Sequence, residues 1–139
     1  MANNFKIKNA EYVEVFIPSG NTKQTIYFPD LPNLRNKPID GIEIYSAIEQ
    51  GTTTSGTAVQ AFSDLVNATV TLYFDGGEFI VCPAITLRRI SNSTNHGFYA
   101  DIPNLAGQNI VWTKSYVQMN AGVANFAGKS FLFNVYYVR

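Results

Sequence analysis

Apolar and polar residues alternate along most of this chain, and the alternation is interrupted by clusters of Gly, Pro, Asn and Asp. From Phe5 to Ile17, most clearly after Glu11, the period is close to two, which predicts a half-buried strand. Pro18 to Asn21 then reads as a turn, and Lys23 to Phe28 as a short β-rich run. Residues 37–50 carry Ile39, Ile42, Ile44 and Ile48 in a strand whose period breaks near Gly41, a place for a bulge. Residues 67–74 alternate through Val70, Leu72 and Phe74, and "FIVCPAITL" follows after "DGGE". Asp-Gly-Gly between two such runs predicts a hairpin at residues 75–78, with Gly76 and Gly77 free to take positive φ. Further strands are expected over residues 109–119 and 130–138. Residues 55–66 alone have helical spacing, through Val59, Phe62 and Val66, enough for a turn or two.

About eight strands with no βαβ alternation make this an all-β chain, an antiparallel β-sandwich forming one domain over residues 1–139. "DLPNL" at residues 30–34 returns as "DIPNL" at residues 101–105. An aromatic precedes each (Phe28, Tyr99), and an aliphatic residue (Ile39, Ile110) and a tyrosine (Tyr45, Tyr116) follow at matching distances. Each copy reads as a corner in which proline ends the pairing, leucines turn inward, Asp and Asn bond nearby amides, and a longer strand begins. Such a repeat favours a jelly roll with two Greek keys over an immunoglobulin-like sandwich, whose Cys-Trp-Cys pattern is missing.

Composition adds a second theme. Acidic and basic residues balance at 10 each, so no positive excess exists for phosphates, and nucleic acid is not an expected partner. Charged residues make up 14% of the chain, as do aromatics, a mix that suits a surface covered by neighbours. The sequence has no apolar run long enough to span a bilayer and no signal-peptide pattern at Met1 to Asn9, which predicts synthesis in the cytoplasm. The single cysteine, Cys82, falls in an apolar run as a buried thiol would. Asn67 and Asn92 begin N-x-[ST] triplets, which carry little meaning without secretion.

Catalytic chemistry finds little support. His96 is the one histidine, which rules out a two-imidazole metal site within the chain, and no strained nucleophile turn surrounds Ser91, Ser93 or Thr94. Asp75 and Glu78 flank the glycine turn, where they solubilise a hairpin tip more simply than they serve as a carboxylate pair. Glu11 with Glu14, and Asp40 with Glu43, are three apart and so fall on opposite faces of a strand. The chain is therefore expected to be no enzyme and to need no cofactor or metal. Arg88 and Arg89 close a strand and could meet a neighbour's carboxylates or an anionic lipid surface. Tyr136 and Tyr137 are adjacent in the last strand, so one of them must face outward, and with the two arginines they form the candidate interface. Trp112 and Tyr116 are the candidates for a sugar platform.

Taken together, "YFPDLPNLRNKPIDGIEIYSA", "TVTLYFDGGEFIV", "DIPNLAGQNIVWTKSYV" and the terminal "SFLFNVYYV" resemble the small single-jelly-roll structural proteins of icosahedral bacteriophages, the penton and minor capsid subunits. The resemblance implies a non-enzymatic capsid subunit found in the virion and made in the host cytoplasm. It would assemble with itself, as a pentamer by preference, and with neighbouring capsid proteins. The chain is short for a protein that would also carry a spike or a membrane anchor. A carbohydrate-binding sandwich, such as a phage adhesin or lectin-like module, is the alternative expectation.

Overall fold

The structure, a computed structural model, describes residues 9–46, 59–90 and 109–137. Two four-stranded sheets face each other. Their strands are β1 (Asn9–Phe16), β2 (Thr25–Tyr27), β3 (Ile39–Ser46), β4 (Ala68–Tyr73), β5 (Phe79–Pro83), β6 (Arg88–Ile90), β7 (Tyr116–Met119) and β8 (Ser130–Tyr137). The first sheet runs β1-β8-β3-β6 and the second β2-β7-β4-β5. Every pair is antiparallel except β3 with β6.

Alternation explains what each sheet buries. Val13 and Val15 on β1, Phe131, Phe133 and Val135 on β8, and Ile42 and Ile44 on β3 turn inward. They meet Val70 and Leu72 of β4 and Val117 and Met119 of β7, all buried. Phe28 bridges the layers, its ring 4.9 Å from Phe133 and 5.2 Å from Trp112. The expected irregularity at Gly41 is present: β3 advances from Ile39 to Gly41 while β8 steps only from Tyr137 to Tyr136. That extra residue is why Ile39 and Ile42, three apart, are both fully buried.

One helical turn, α1 (Phe62–Leu65), occupies the segment with helical spacing, and a second, α2 (Val123–Phe126), precedes β8. The carboxylate of Asp64 fixes the first turn by accepting from the Ala61 N–H at 3.0 Å and pairing with Lys129. Gln60 Nε2 donates to the carbonyls of Phe126 and Lys129 and so ties the two helical turns together.

Three expectations need correction. Gly77 alone takes positive φ, at +88°, whereas Gly76 does not. The Gly77 N–H reaches the Phe74 carbonyl at 3.0 Å and the Phe74 N–H reaches Glu78 at 2.8 Å, so the loop is a three-residue hairpin closed by one left-handed glycine. The run from Ile110 to Met119 is not one strand. Ile110 makes a lone bridge to Phe74, a 3-10 turn spans Trp112–Lys114, and β7 begins at Tyr116. Ser115 fills the break, its hydroxyl accepting from the Tyr73 N–H and donating to the Val111 carbonyl. The run after the hairpin also breaks, at a 3-10 turn (Ala84–Leu87), because Ala84 and Leu87 both turn into the core.

The first corner behaves as expected in its apolar part: Pro32–Leu34 form a 3-10 turn, Leu34 is buried and Leu31 packs against the core. Its polar residues do something different from bonding nearby amides. Asp30 takes both hydrogen bonds of the Arg35 guanidinium, at 2.7 and 2.9 Å, and Asn33 donates to Glu11 at 3.1 Å. The second copy, residues 101–105, lies outside the described residues, as do His96 and Asn92.

Candidate functional site

Two surface features combine unusual chemistry with a defined geometry, and both belong to the second sheet. The first is its outer face. Inward residues of β4, β7 and β2 leave Thr69, Thr71, Tyr73, Tyr116, Gln118, Thr25 and Tyr27 pointing away from the core, joined by Phe79, Val81 and Pro83 of β5. None of these side chains is charged. Register places Tyr27, Tyr116, Thr71 and Val81 in one row, with Tyr73 and Phe79 in the next. Their rings form a chain: Tyr27 to Tyr116 at 5.5 Å, Tyr116 to Tyr73 at 6.4 Å, Tyr73 to Phe79 at 5.2 Å. Tyr27, Phe79 and Val81 are each more than half exposed, and Thr71 beneath the rings is buried.

The second feature is a groove at one end of the same sheet. Antiparallel pairing of β7 with both β2 and β4 brings the exits of β2 and β4 to the entry of β7. The first corner, the hairpin tip and residues 109–113 therefore converge. Asp30, Leu31, Arg35, Asn36, Asp75, Asn109, Ile110, Val111, Trp112 and Thr113 line a groove of about 260 Å³. Backbone bonds fix its walls: Asp75 N–H to the Asn109 carbonyl at 3.2 Å, Val111 N–H to the Tyr73 carbonyl at 2.8 Å. Asn109 Nδ2 donates to Asp75 at 3.3 Å, which orients the amide and leaves its Oδ1 without a partner. The indole Nε1 of Trp112 is likewise buried and unpartnered.

The residues expected to matter fall in several places. Trp112 is only 4% exposed, held between Phe28 and the groove, so it cannot be a flat exposed sugar platform; a ring alternating with Ile110 is drawn into the core. Tyr116 does lie on the outer face, half-buried within the aromatic chain. Tyr136 points outward from the first sheet and Tyr137 inward against the core. Tyr136 is not a free contact residue: its hydroxyl donates to Glu43 at 2.6 Å and accepts from Asn134 at 2.8 Å, and Glu43 is only 2% exposed. Arg88 and Arg89 pair through their backbones with Ile44 and Tyr45, and their side chains lie outside what is described. Glu11 and Glu14 diverge as expected, bonded by Asn33 and by Ser130. Asp75 and Glu78 are both exposed at the hairpin, and Asp75 turns to Asn109.

Cys82 packs against the core from β5, and burial pushes its thiol up to about 11, partly offset by a hydrogen bond with Thr86. Such a thiol is a poor nucleophile at neutral pH. Among the described residues no cluster of three metal-binding side chains occurs, and no helix is long and apolar enough to cross a membrane. The aromatic chain was partly legible, since Tyr73 falls between inward Leu72 and Phe74, but Tyr116 reaches the outer face only because the 3-10 turn breaks the period from Ile110 and Trp112, and Tyr27 depends on β2 lying beside β7. No family model, curated protein or solved structure matches this chain.

Proposed function

We propose that this protein is a structural subunit of an icosahedral bacteriophage capsid, of vertex (penton) or minor capsid type, that works by packing against copies of itself and neighbouring capsid proteins. The observation that carries this reading is the uncharged outer face of the second sheet, with its chain of Tyr27, Tyr116, Tyr73 and Phe79. Aromatic enrichment with loss of charge distinguishes the core of a protein interface from ordinary surface. A neutral face suits a second copy of the same chain, because no like charges oppose each other when identical subunits meet. A closed ring would also cover the edges presented by β2 and β5, which end the second sheet.

Strand order supports the accompanying jelly-roll reading. Pairs β1·β8, β2·β7 and β4·β5 are nested and antiparallel, as in a hairpin rolled into two sheets. In an immunoglobulin-like sandwich consecutive strands pair early, whereas here β1 and β2 lie in different sheets. The parallel pairing of the three-residue β6 with β3 is a departure from a fully antiparallel roll.

Val81→Lys is the test. Val81 is 55% exposed at the centre of an edge strand, so the change leaves the monomer nearly as stable while placing a charge on the neutral face. Sedimentation velocity and native mass measurement over a wide concentration range should give a closed ring, a pentamer by preference, for the wild type and folded monomers for the variant. A wild type that stays monomeric at high concentration and does not join capsid-like particles overturns the proposal.

A further inference from the structure

We propose that the groove between the first corner, the hairpin tip and the entry to β7 binds a neutral, hydroxyl-rich ligand, one ring of a saccharide in size. Four buried side-chain atoms among the described residues have no hydrogen-bond partner, and two of them, Trp112 Nε1 and Asn109 Oδ1, belong to residues lining this one groove. Leaving a buried polar atom unpaired is unfavourable, so two in one wall indicate that groups from outside complete them. One is a donor and the other an acceptor. A hydroxyl can accept from the indole and donate to the amide oxygen, while a fully deprotonated anion offers no donor and an ammonium no acceptor.

The rest of the groove agrees with this chemistry. Arg35 already neutralises Asp30 through two hydrogen bonds, which leaves Asp75 as an exposed acceptor for paired hydroxyls and a further obstacle to an anion. Leu31 and Ile110 supply the apolar contact that a ring's C–H face needs. Asn36 holds φ at +60°, the one non-glycine residue with positive φ among those described, and it stands in the groove wall. A volume of about 260 Å³ fits a single ring and its substituents better than a folded peptide.

Trp112 is the chain's only tryptophan, so its fluorescence reports on the groove directly. The full chain is titrated with glucose, galactose, mannose and N-acetylglucosamine, and separately with inorganic phosphate and a capped dialanine peptide. A saturable emission change is expected with at least one sugar and with neither comparison probe. Asp75→Ala and Asn109→Ala, judged folded by unchanged circular dichroism, should each weaken that binding by about tenfold. Trp112→Phe, followed by ligand-observed NMR, should weaken it while keeping an aromatic ring against Phe28. Silence with all the sugars overturns the proposal. So does binding that survives the substitutions, or saturable binding of the peptide or of phosphate in place of a sugar.

Discussion

Gly76 and Gly77 are neighbours in one hairpin, yet the structure gives them opposite sensitivities to the same substitution. Gly77 has φ of +88°, whereas Gly76 does not take positive φ, and an added Cβ at either would meet no atom within 4 Å. Contact terms therefore drop out, and only backbone conformation distinguishes the two. Gly77→Ala forces an L-residue into the left-handed region and should destabilise by about 1 to 2 kcal/mol. Gly76→Ala restricts the unfolded chain without strain in the folded one and should stabilise by about 0.4 to 1 kcal/mol. The two variants should thus differ by roughly 1.5 to 3 kcal/mol, well above the error of a urea titration at constant m. Because the hairpin carries Asp75 against Asn109, Gly77→Ala should also loosen the groove wall, visible as a shift in Trp112 emission. Equal midpoints for the two variants, or a loss in both, would refute the assignment of the left-handed position to Gly77.

Leu34 is buried in the first corner, so Leu34→Ala should cost about 2 to 5 kcal/mol in a denaturant titration, and Asn33→Ala, which loses one exposed bond to Glu11, much less. Tyr136→Phe removes a 2.6 Å donor from nearly buried Glu43 and should cost about 1 to 3 kcal/mol, whereas a merely assembly-facing tyrosine would leave monomer stability unchanged. Cys82 should resist alkylation at pH 8 in the folded state and react readily once unfolded, as followed by mass spectrometry. Its raised pKa also has a stability consequence. Between about 9 and 11 the unfolded chain releases a proton that the folded chain keeps, so stability falls with rising pH in that window. Wild type measured against Cys82→Ala should show that extra loss, while parallel pH profiles would contradict it.

Periodicity made the sandwich legible because its signal is local. Val13, Val15, Val70 and Leu72 each sit where a period of two places them. The signal failed where a single position was decided by a partner far away in the chain. Ile110 to Tyr116 looks continuous in sequence, but the 3-10 turn at Trp112 is stabilised by Ser115 bridging to Tyr73 and Val111. Tyr136 was readable as outward-facing, but its bond to Glu43 depends on β3 pairing with β8 across ninety-three positions of chain. Likewise, Asp-Gly-Gly announces a turn, but which glycine is left-handed depends on loop length, set by Phe74 facing Glu78.

The two outer faces show why composition alone could not locate the face proposed for assembly. On the first sheet, outward positions hold Glu14, Glu43, Asn134 and Tyr136, and these satisfy one another or Ser130 through side-chain hydrogen bonds. Among the described side chains of that face these polar groups are committed to each other, while Tyr12 and Phe16 stand exposed on its edge strand. On the second sheet, the outward aromatics are organised by ring contacts and carry no charge, so covering them gains apolar burial without desolvating an ion, with the tyrosine hydroxyls left to bond across the contact or at its rim. The groove lies at the end of this same sheet, where β7 enters between β2 and β4. Assembly through the face would thus leave the groove at a rim, open to a ligand, and a lysine at Val81 should separate the two activities: association lost, sugar binding at Trp112 kept. Loss of both together would mean that the groove is completed only by a neighbouring subunit.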